Sequence, residues 1–365
     1  MAIQAQIAGW GYYVPSRVLS NDDLARMVDT SDDWIRQRTG IVERRIAEPQ
    51  ETTAEMGLRA AEEALRVAGV YGGDVDLIIV ATATPDQQFP AVASILQDAL
   101  GATRAGAFDL SAGCSGFVYG LAMGHAAITS GMSRRVLVVG AEKLSRVVDW
   151  TDRATCILFG DGAGAVLLEG VEGSTGILST ALGSDGSGAD ALMLRLKENG
   201  DPTRRGPYIV MDGRRVFKFA TRTMAAAVQQ VVKQAGLSLA DVKMIIPHQA
   251  NQRIMDAACA EIDYPVEKVY SNLARYGNTS AASVPIALCE AVHEGLLEDG
   301  DLVALVAFGA GLTWAAALVR WGRTVAPKWY EAGEAQVKQK VALSLWRARR
   351  LAQWAARLRP LRRRK

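Results

Sequence analysis

Histidine is scarce in this chain. His125, His248 and His293 are the only three in 365 residues, so any imidazole chemistry must come from one of them. Cysteine is almost as rare, and Cys114, Cys156, Cys259 and Cys289 have the spacing of neither a metal knuckle nor a redox CxxC pair. Four cysteines in a chain this long also exclude a disulfide-stapled secreted scaffold. No apolar run is long enough to span a bilayer; Leu302 to Phe308 is far too short. Met1 to Trp10 lacks the charged and then apolar pattern of a signal peptide, which predicts a soluble protein in the reducing cytoplasm. The Gly160–Gly164 segment (GDGAG) has neither the GxGxxG spacing nor a Walker lysine, which favours a tight turn into the next strand over a phosphate cradle.

What is present describes a folded chain. Apolar residues make up 49% and charged residues 22%, a balance that builds a core and excludes disorder over the whole length. The formal charge of +2 hides an asymmetry: residues 324–365 hold 12 Lys or Arg against Glu331 and Glu334, leaving 29 basic and 37 acidic residues upstream.

A weak self-similarity recurs at an offset of 167 residues. Ala68 and Gly69 return as Ala235 and Gly236, and Asp74, Val75, Ile78 and Ile79 return as Asp241, Val242, Ile245 and Ile246. Val136 and Val139 fall on Val303 and Val306. Each copy reads as helix, glycine stop and buried strand. The runs VDLIIVATA, RVLVVG, AGAVLLE, VKMIIP, LVALVAF and AAALVRW are continuously apolar, as strands covered by helices on both faces should be. Alternation of such strands with helices predicts a layered α/β fold made of two related halves.

Cys114 stands in SAGCSG, after the strand-like AGAFDL and before the helix-like FVYGLAMGHAAI. A strand-turn-helix places its sulfur at a helix N-terminus, where unpaired N–H groups favour a thiolate and can stabilise the oxyanion formed by attack on a thioester. The other three cysteines sit in apolar or helical patterns and read as core. His125 and His293 lie within helices and read as surface or packing residues. His248 instead follows the strand VKMIIP, at the carboxyl end where α/β sheets place their chemistry, and there a ligand, a catalyst or a structural histidine fits equally. Asn278, in YGNTS, follows the strand-like VYSNL and precedes a helix. Under the repeat Cys114 maps onto Ala281, so the Asn278 turn should face the Cys114 turn. Phe308–Leu312 (FGAGL) is either a plain glycine turn or a place where backbone amides approach a substrate.

Together these segments resemble the β-ketoacyl-[acyl-carrier-protein] synthase III family of thiolase-like condensing enzymes. The resemblance spans about residues 1–322 and rests on DDWIRQRTGI, SAGCSGF, TDRATCILFGDGAGA, IPHQANQRI, YGNTSAASVP and FGAGLTW, in that order. It implies a five-layered αβαβα fold with two pseudo-symmetric halves, residues 1–172 and 173–323, usually as a homodimer. It implies that Cys114 takes the acyl group of acetyl-CoA or a similar primer. Malonyl on acyl carrier protein then loses carbon dioxide while His248 and Asn278 bind its thioester oxygen, with the Phe308 and Ala310 loop in support. By the same resemblance Trp34 and Arg153 hold the CoA adenine, Arg38 lies near the phosphates and Asn251 beside the pantetheine channel. Lys218 and Arg253 meet the acidic carrier protein, and Phe89 reaches across the dimer into the partner's acyl pocket, where it favours a short primer. CoA thioesters enter as substrates, and neither a metal nor another cofactor is called for.

Ala310 stands where some relatives have a glycine, and its amide can still donate. A related condensing enzyme of polyketide or long-chain ketone synthesis would use the same three residues. A degradative thiolase would need a second late cysteine, and an elongating synthase a second strand-end histidine. A non-catalytic scaffold working through its tail is opposed by the intact Cys114, His248 and Asn278 set. The basic tail, 324–365, reads as an imperfectly amphipathic helix or a partly disordered appendage. It suits a lipid surface or the carrier protein, with no specific nucleic acid.

Overall fold

The computed structural model describes residues 3–194 and 207–322. The expectations for the basic tail, residues 324–365, lie outside the described residues.

Two mixed sheets carry the fold. The first has the order Ile3–Tyr13, Gly162–Glu172, Arg135–Glu142, Leu77–Ala81, Gly106–Leu110. The second has the order Met244–Pro247, Leu302–Gly309, Thr313–Arg320, Gly176–Ser184. The six apolar runs are all strands. Ile3–Tyr13 and Gly176–Ser184, which the sequence reading did not single out, complete the sheets.

The internal repeat is visible in the registers. Leu77 pairs with Val136 in one parallel ladder and Met244 with Val303 in the other, and both pairs are related by the same 167-residue step.

Side-chain alternation along these strands builds the layers. Ile78 and Val80 face outward against the helix Thr53–Ala68, packing with Met56, Leu58 and Leu65. Ile79, Val136 and Val138 face inward against Phe117, Val118 and Leu121 of the helix Gly116–Thr129, and that same core takes in Val284 and Leu288 of Ser283–His293. On the other side of these two central helices lie Val303 and Leu305 of the second sheet. Ala304 and Val306 face the outer helix Gly213–Gln234 through Met224, Val228 and Val231. Helix, sheet, helices, sheet, helix is the five-layered αβαβα arrangement. The central helices are apolar nearly all round because both faces meet a sheet, and each fully buried Leu, Val or Phe there contributes about 1.5–3 kcal/mol.

Local signals set the boundaries. Thr52 and Glu55 form a capping box at the start of Thr53–Ala68, and Gly69 stops the helix in the left-handed conformation, φ 65°. VYSNL departs from its strand reading: it makes one isolated bridge, Val269 to Ile245, and Leu273–Tyr276 is a short helix. The chain is pulled from the sheet edge by Gln249, whose side chain accepts from Asn272 N–H and donates to Tyr270 O. GDGAG runs into the strand Gly162–Glu172, with Asp161 fully buried and accepting from Ala47 N and the Ser145 hydroxyl. Its polar groups are spent within the fold. Among the described residues no helix is long and apolar enough to cross a membrane.

Candidate active site

The Cys114 turn is built by close approach. Gly113–Ser115 forms a 3-10 turn leading into Gly116–Thr129, with Gly113 at φ 54°, a conformation glycine adopts freely. Behind it passes Gly309, where an added Cβ would lie 2.4 Å from Cys114 N. Thr313 Oγ1 ties the two segments together, 2.8 Å from Ala112 O and 3.0 Å from Ala310 O. The side-chain-free position in FGAGL is therefore what lets that loop pack on the nucleophile turn.

The opposite turn, Ser280–Ala282, precedes Ser283–His293 and packs against the first. Phe159 and Asn278 form a backbone bridge, with Asn278 N donating to Leu158 O and Gly160 N to Asn278 O. The Asn278 Oδ1 accepts from Ser280 N at 2.8 Å. That leaves its NH2 as the group available to a ligand.

His248 is fully buried at the end of the second sheet, with its backbone N–H on Val306 O. Its Nδ1 lies 2.6 Å from Ser283 Oγ, which the Gln249 N–H approaches at 3.4 Å. A serine that donates to Nδ1 leaves the hydrogen of His248 on Nε2. Nε2 has no partner within the protein. Burial lowers the imidazole to about 3, so the ring is neutral at physiological pH. Phe308 presses edge-on against it, ring centres 5.2 Å apart at 69°.

Cys114, His248, Asn278, Phe308 and Ala310 all line one cavity of about 770 Å³, which reaches out to Trp34 and Arg38. That volume suits a sizeable ligand. The thiol itself departs from the thiolate reading. Burial pushes Cys114 up to about 12, and the buried Glu142 acts in the same direction, while the Ser280 hydroxyl and the cysteine's own N–H pull it back. Desolvation of the charged sulfur favours the neutral thiol at this half-buried position.

The outer residues divide. The Arg153 guanidinium lies over the Trp34 ring at 5.0 Å and donates to Asp29 O at 2.9 Å. Asn251 lines the cavity, but its Oδ1 caps Gln252–Glu261 through Arg253 N and its Nδ2 donates to Arg38 O, so both ends of the amide are engaged. Arg253 lines the cavity over the Phe217 ring, whereas Lys218 is exposed outside the lining. Phe89 is also outside the lining, 83% exposed. Cys156, Cys259 and Cys289 are buried. His125 is half-buried, and His293 packs on Tyr12 at 6.0 Å.

Sequence reasoning missed Glu142, Ser280, Ser283 and Arg214. Ser280 and Ser283 were within reach, since both sit in YGNTSAASVP beside Asn278. Arg214 lines the cavity together with the hairpin Leu192–Leu194 and Ile209–Met211, which carried no distinct signal.

The match to known proteins follows this geometry. A model of 3-oxoacyl-[acyl-carrier-protein] synthase III matches residues 108–186, and a model of the C-terminal part of that enzyme matches residues 232–321. The chain is 52% identical over 321 residues to a β-ketoacyl-[acyl-carrier-protein] synthase III of Bacillus pumilus, covering 88% of this chain and 100% of the relative. The chain belongs to the β-ketoacyl-[acyl-carrier-protein] synthase III family. Within that family, the crystal structure of the Aquifex aeolicus synthase superposes with a TM-score of 0.83 at 48% identity, covering 87% of this chain and all of that one. The priming β-ketosynthase of the R1128 polyketide pathway superposes at 0.85 with 37% identity, covering 88% of this chain and 98% of that one. These are thiolase-like acyltransferases of the condensing type.

Proposed function

We propose that the cavity performs a two-stage decarboxylative condensation that starts fatty acid synthesis, with Cys114 as acyl acceptor and His248 and Asn278 as paired donors. The observation that carries this reading is the convergence of these three residues, distant in sequence, on one chamber. In the first stage the Cys114 sulfur attacks the thioester carbon of an acyl-CoA. The bond to the CoA sulfur breaks, and the thiol proton ends on released CoA. Backbone N–H groups of Cys114 and Ala310 stabilise the oxyanion.

In the second stage malonyl on acyl carrier protein places its thioester oxygen between His248 Nε2 and the Asn278 NH2. Loss of carbon dioxide leaves its electron pair on the α-carbon as an enolate, whose charge gathers on that oxygen. Two neutral donors there lower the barrier, each by about 2.7–4 kcal/mol on the oxyanion-hole scale, and the donor set needs neither a metal nor another cofactor. The carbanion attacks the acyl-cysteine, the sulfur leaves and takes up a proton, and 3-oxoacyl carrier protein departs.

Trp34 and Arg153 would hold the adenine, Arg38 the phosphates. Arg253 and Lys218 would meet the acidic carrier, joined by Arg214 at the cavity. Such a substrate pair belongs in the cytoplasm. An exposed Phe89 suits a homodimer in which it enters the partner's acyl pocket and shortens the primer accepted. Replacing Cys114 with Ala should abolish transfer of label from radiolabelled acetyl-CoA to protein, and persistent labelling would overturn the reading. Turnover across a panel of acyl-CoA primers with malonyl carrier protein identifies the primer, and a preference for acetyl-CoA supports fatty acid initiation over polyketide priming.

A further inference from the structure

Glu142 ends the strand Arg135–Glu142, is fully buried, and stands behind the chamber wall rather than in it. Its carboxylate gathers donors from both halves of the molecule. The Thr84 hydroxyl, the Thr82 hydroxyl at 3.3 Å and the Ala83 N–H at 3.2 Å come from the first half. The Ser280 hydroxyl, at 3.0 Å, comes from the second. The neighbouring Lys143 spends its ammonium on the carbonyls of Glu48 and Glu51, at 2.7 and 2.6 Å. Among the described residues no cation pairs with Glu142. A buried carboxylate is a costly way to hold a fold together, so its placement against the site calls for a task.

Ser280 supplies one. Its φ is 51°, in the left-handed region that residues with side chains disfavour. The pseudo-symmetric position is Gly113, at φ 54°, where no side chain opposes it. At Ser280 that conformation aims the backbone N–H at Asn278 Oδ1, 2.8 Å away. An amide whose oxygen is held this way turns its NH2 toward the chamber that Asn278 lines.

We infer that Glu142 is a positioning residue for the decarboxylation stage: by binding the Ser280 hydroxyl it keeps Ser280 left-handed, and Ser280 N–H in turn holds the Asn278 NH2 on the substrate oxygen. This rests on the proposed role of Asn278. A misplacement of about 1 Å at a reacting group costs roughly 100-fold. Glu142→Gln should therefore slow carbon dioxide release from malonyl carrier protein by about 10- to 100-fold, while acyl transfer to Cys114, whose thiol loses a neighbouring charge that raises it, is not slowed.

The deciding measurement is a double-mutant cycle on carbon dioxide release. If Glu142 acts through Asn278, then Glu142→Gln added to Asn278→Ala lowers the residual rate no further. An equal loss in both backgrounds, or a loss of acyl transfer as large as the loss of release, overturns the inference and leaves the reading of the reaction standing. Unchanged release in Asn278→Ala alone overturns that reading instead. Thermal denaturation checks that each variant folds. If Glu142→Gln does not fold, Ser280→Ala runs the same cycle and is judged on non-additivity alone, because the Ser280 hydroxyl also influences the Cys114 sulfur.

Discussion

At the start of its two central helices the chain makes the same short turn twice, Gly113–Ser115 before Gly116–Thr129 and Ser280–Ala282 before Ser283–His293. The 167-residue step places Gly113 on Ser280, Cys114 on Ala281 and Gly116 on Ser283. The backbone barely differs, with φ of 54° against 51° at the first position. What differs is chemistry. The first turn sets Cys114 and Ser115 between Gly113 and Gly116, with the Ser115 hydroxyl spent on Ala112 O and Thr313 and Gly309 passing behind; the second offers the Ser280 and Ser283 hydroxyls to partners around the cavity, and Glu142 stands at the position corresponding to Gly309. On the proposed reading one turn leaves room for an acyl group, and the other holds the two side chains opposite it, Asn278 through Ser280 and His248 through Ser283.

That contrast breaks most visibly at Asn278. Asn278→Ala should cut carbon dioxide release by about 100- to 1,000-fold, the scale of one lost oxyanion donor, while Cys114 still becomes acylated. Joint loss of both stages would mean that the second turn is structural for the first. Next in size is Gly309→Ala, whose Cβ would meet Cys114 N at 2.4 Å. Overpacking of this kind costs about 1–3 kcal/mol, and the displaced sulfur should lose roughly 100-fold in acyl transfer. Wild-type rates would show that the two loops separate cheaply.

A subtler outcome concerns charge. With Cys114 pushed up to about 12, its alkylation by iodoacetamide, followed by mass spectrometry, should rise about tenfold per pH unit from pH 7 to 10 without levelling off. A plateau near neutral pH would show that the helix end prevails over burial. The smallest effect lies at His248. Unfolded histidine titrates near 6.5 and the buried ring near 3, so between these values the unfolded chain binds more protons and acid erodes stability. The melting temperature of wild type should fall more between pH 7 and pH 5 than that of His248→Asn, and parallel curves would contradict the burial.

Much of the fold was legible because apolar runs of strand length bounded by glycine leave few alternatives, and the repeat told which runs correspond. Cys114, His248 and Asn278 were legible as polar residues at strand ends or in turns. VYSNL was misread because its apolar residues suit a strand, while the hydrogen bonds that pull it aside come from Gln249. The upward push on the Cys114 thiol was not legible because a helix end is local, whereas desolvation depends on what packs around the sulfur. Glu142 left no trace among the motifs, since one acidic residue after RVLVVG reads as the end of a strand.

The six apolar strands, the twofold repeat and the residue types available to the candidate site were determined by the sequence itself, because periodicity, caps and residue type act over a few neighbouring positions. The burial of the sulfur, the Ser283 partner of His248 and the direction in which Asn278 presents its amide were decided only by tertiary structure. Each depends on burial and on partners more than 30 residues away or on backbone conformations the packing enforces, and no local pattern encodes either.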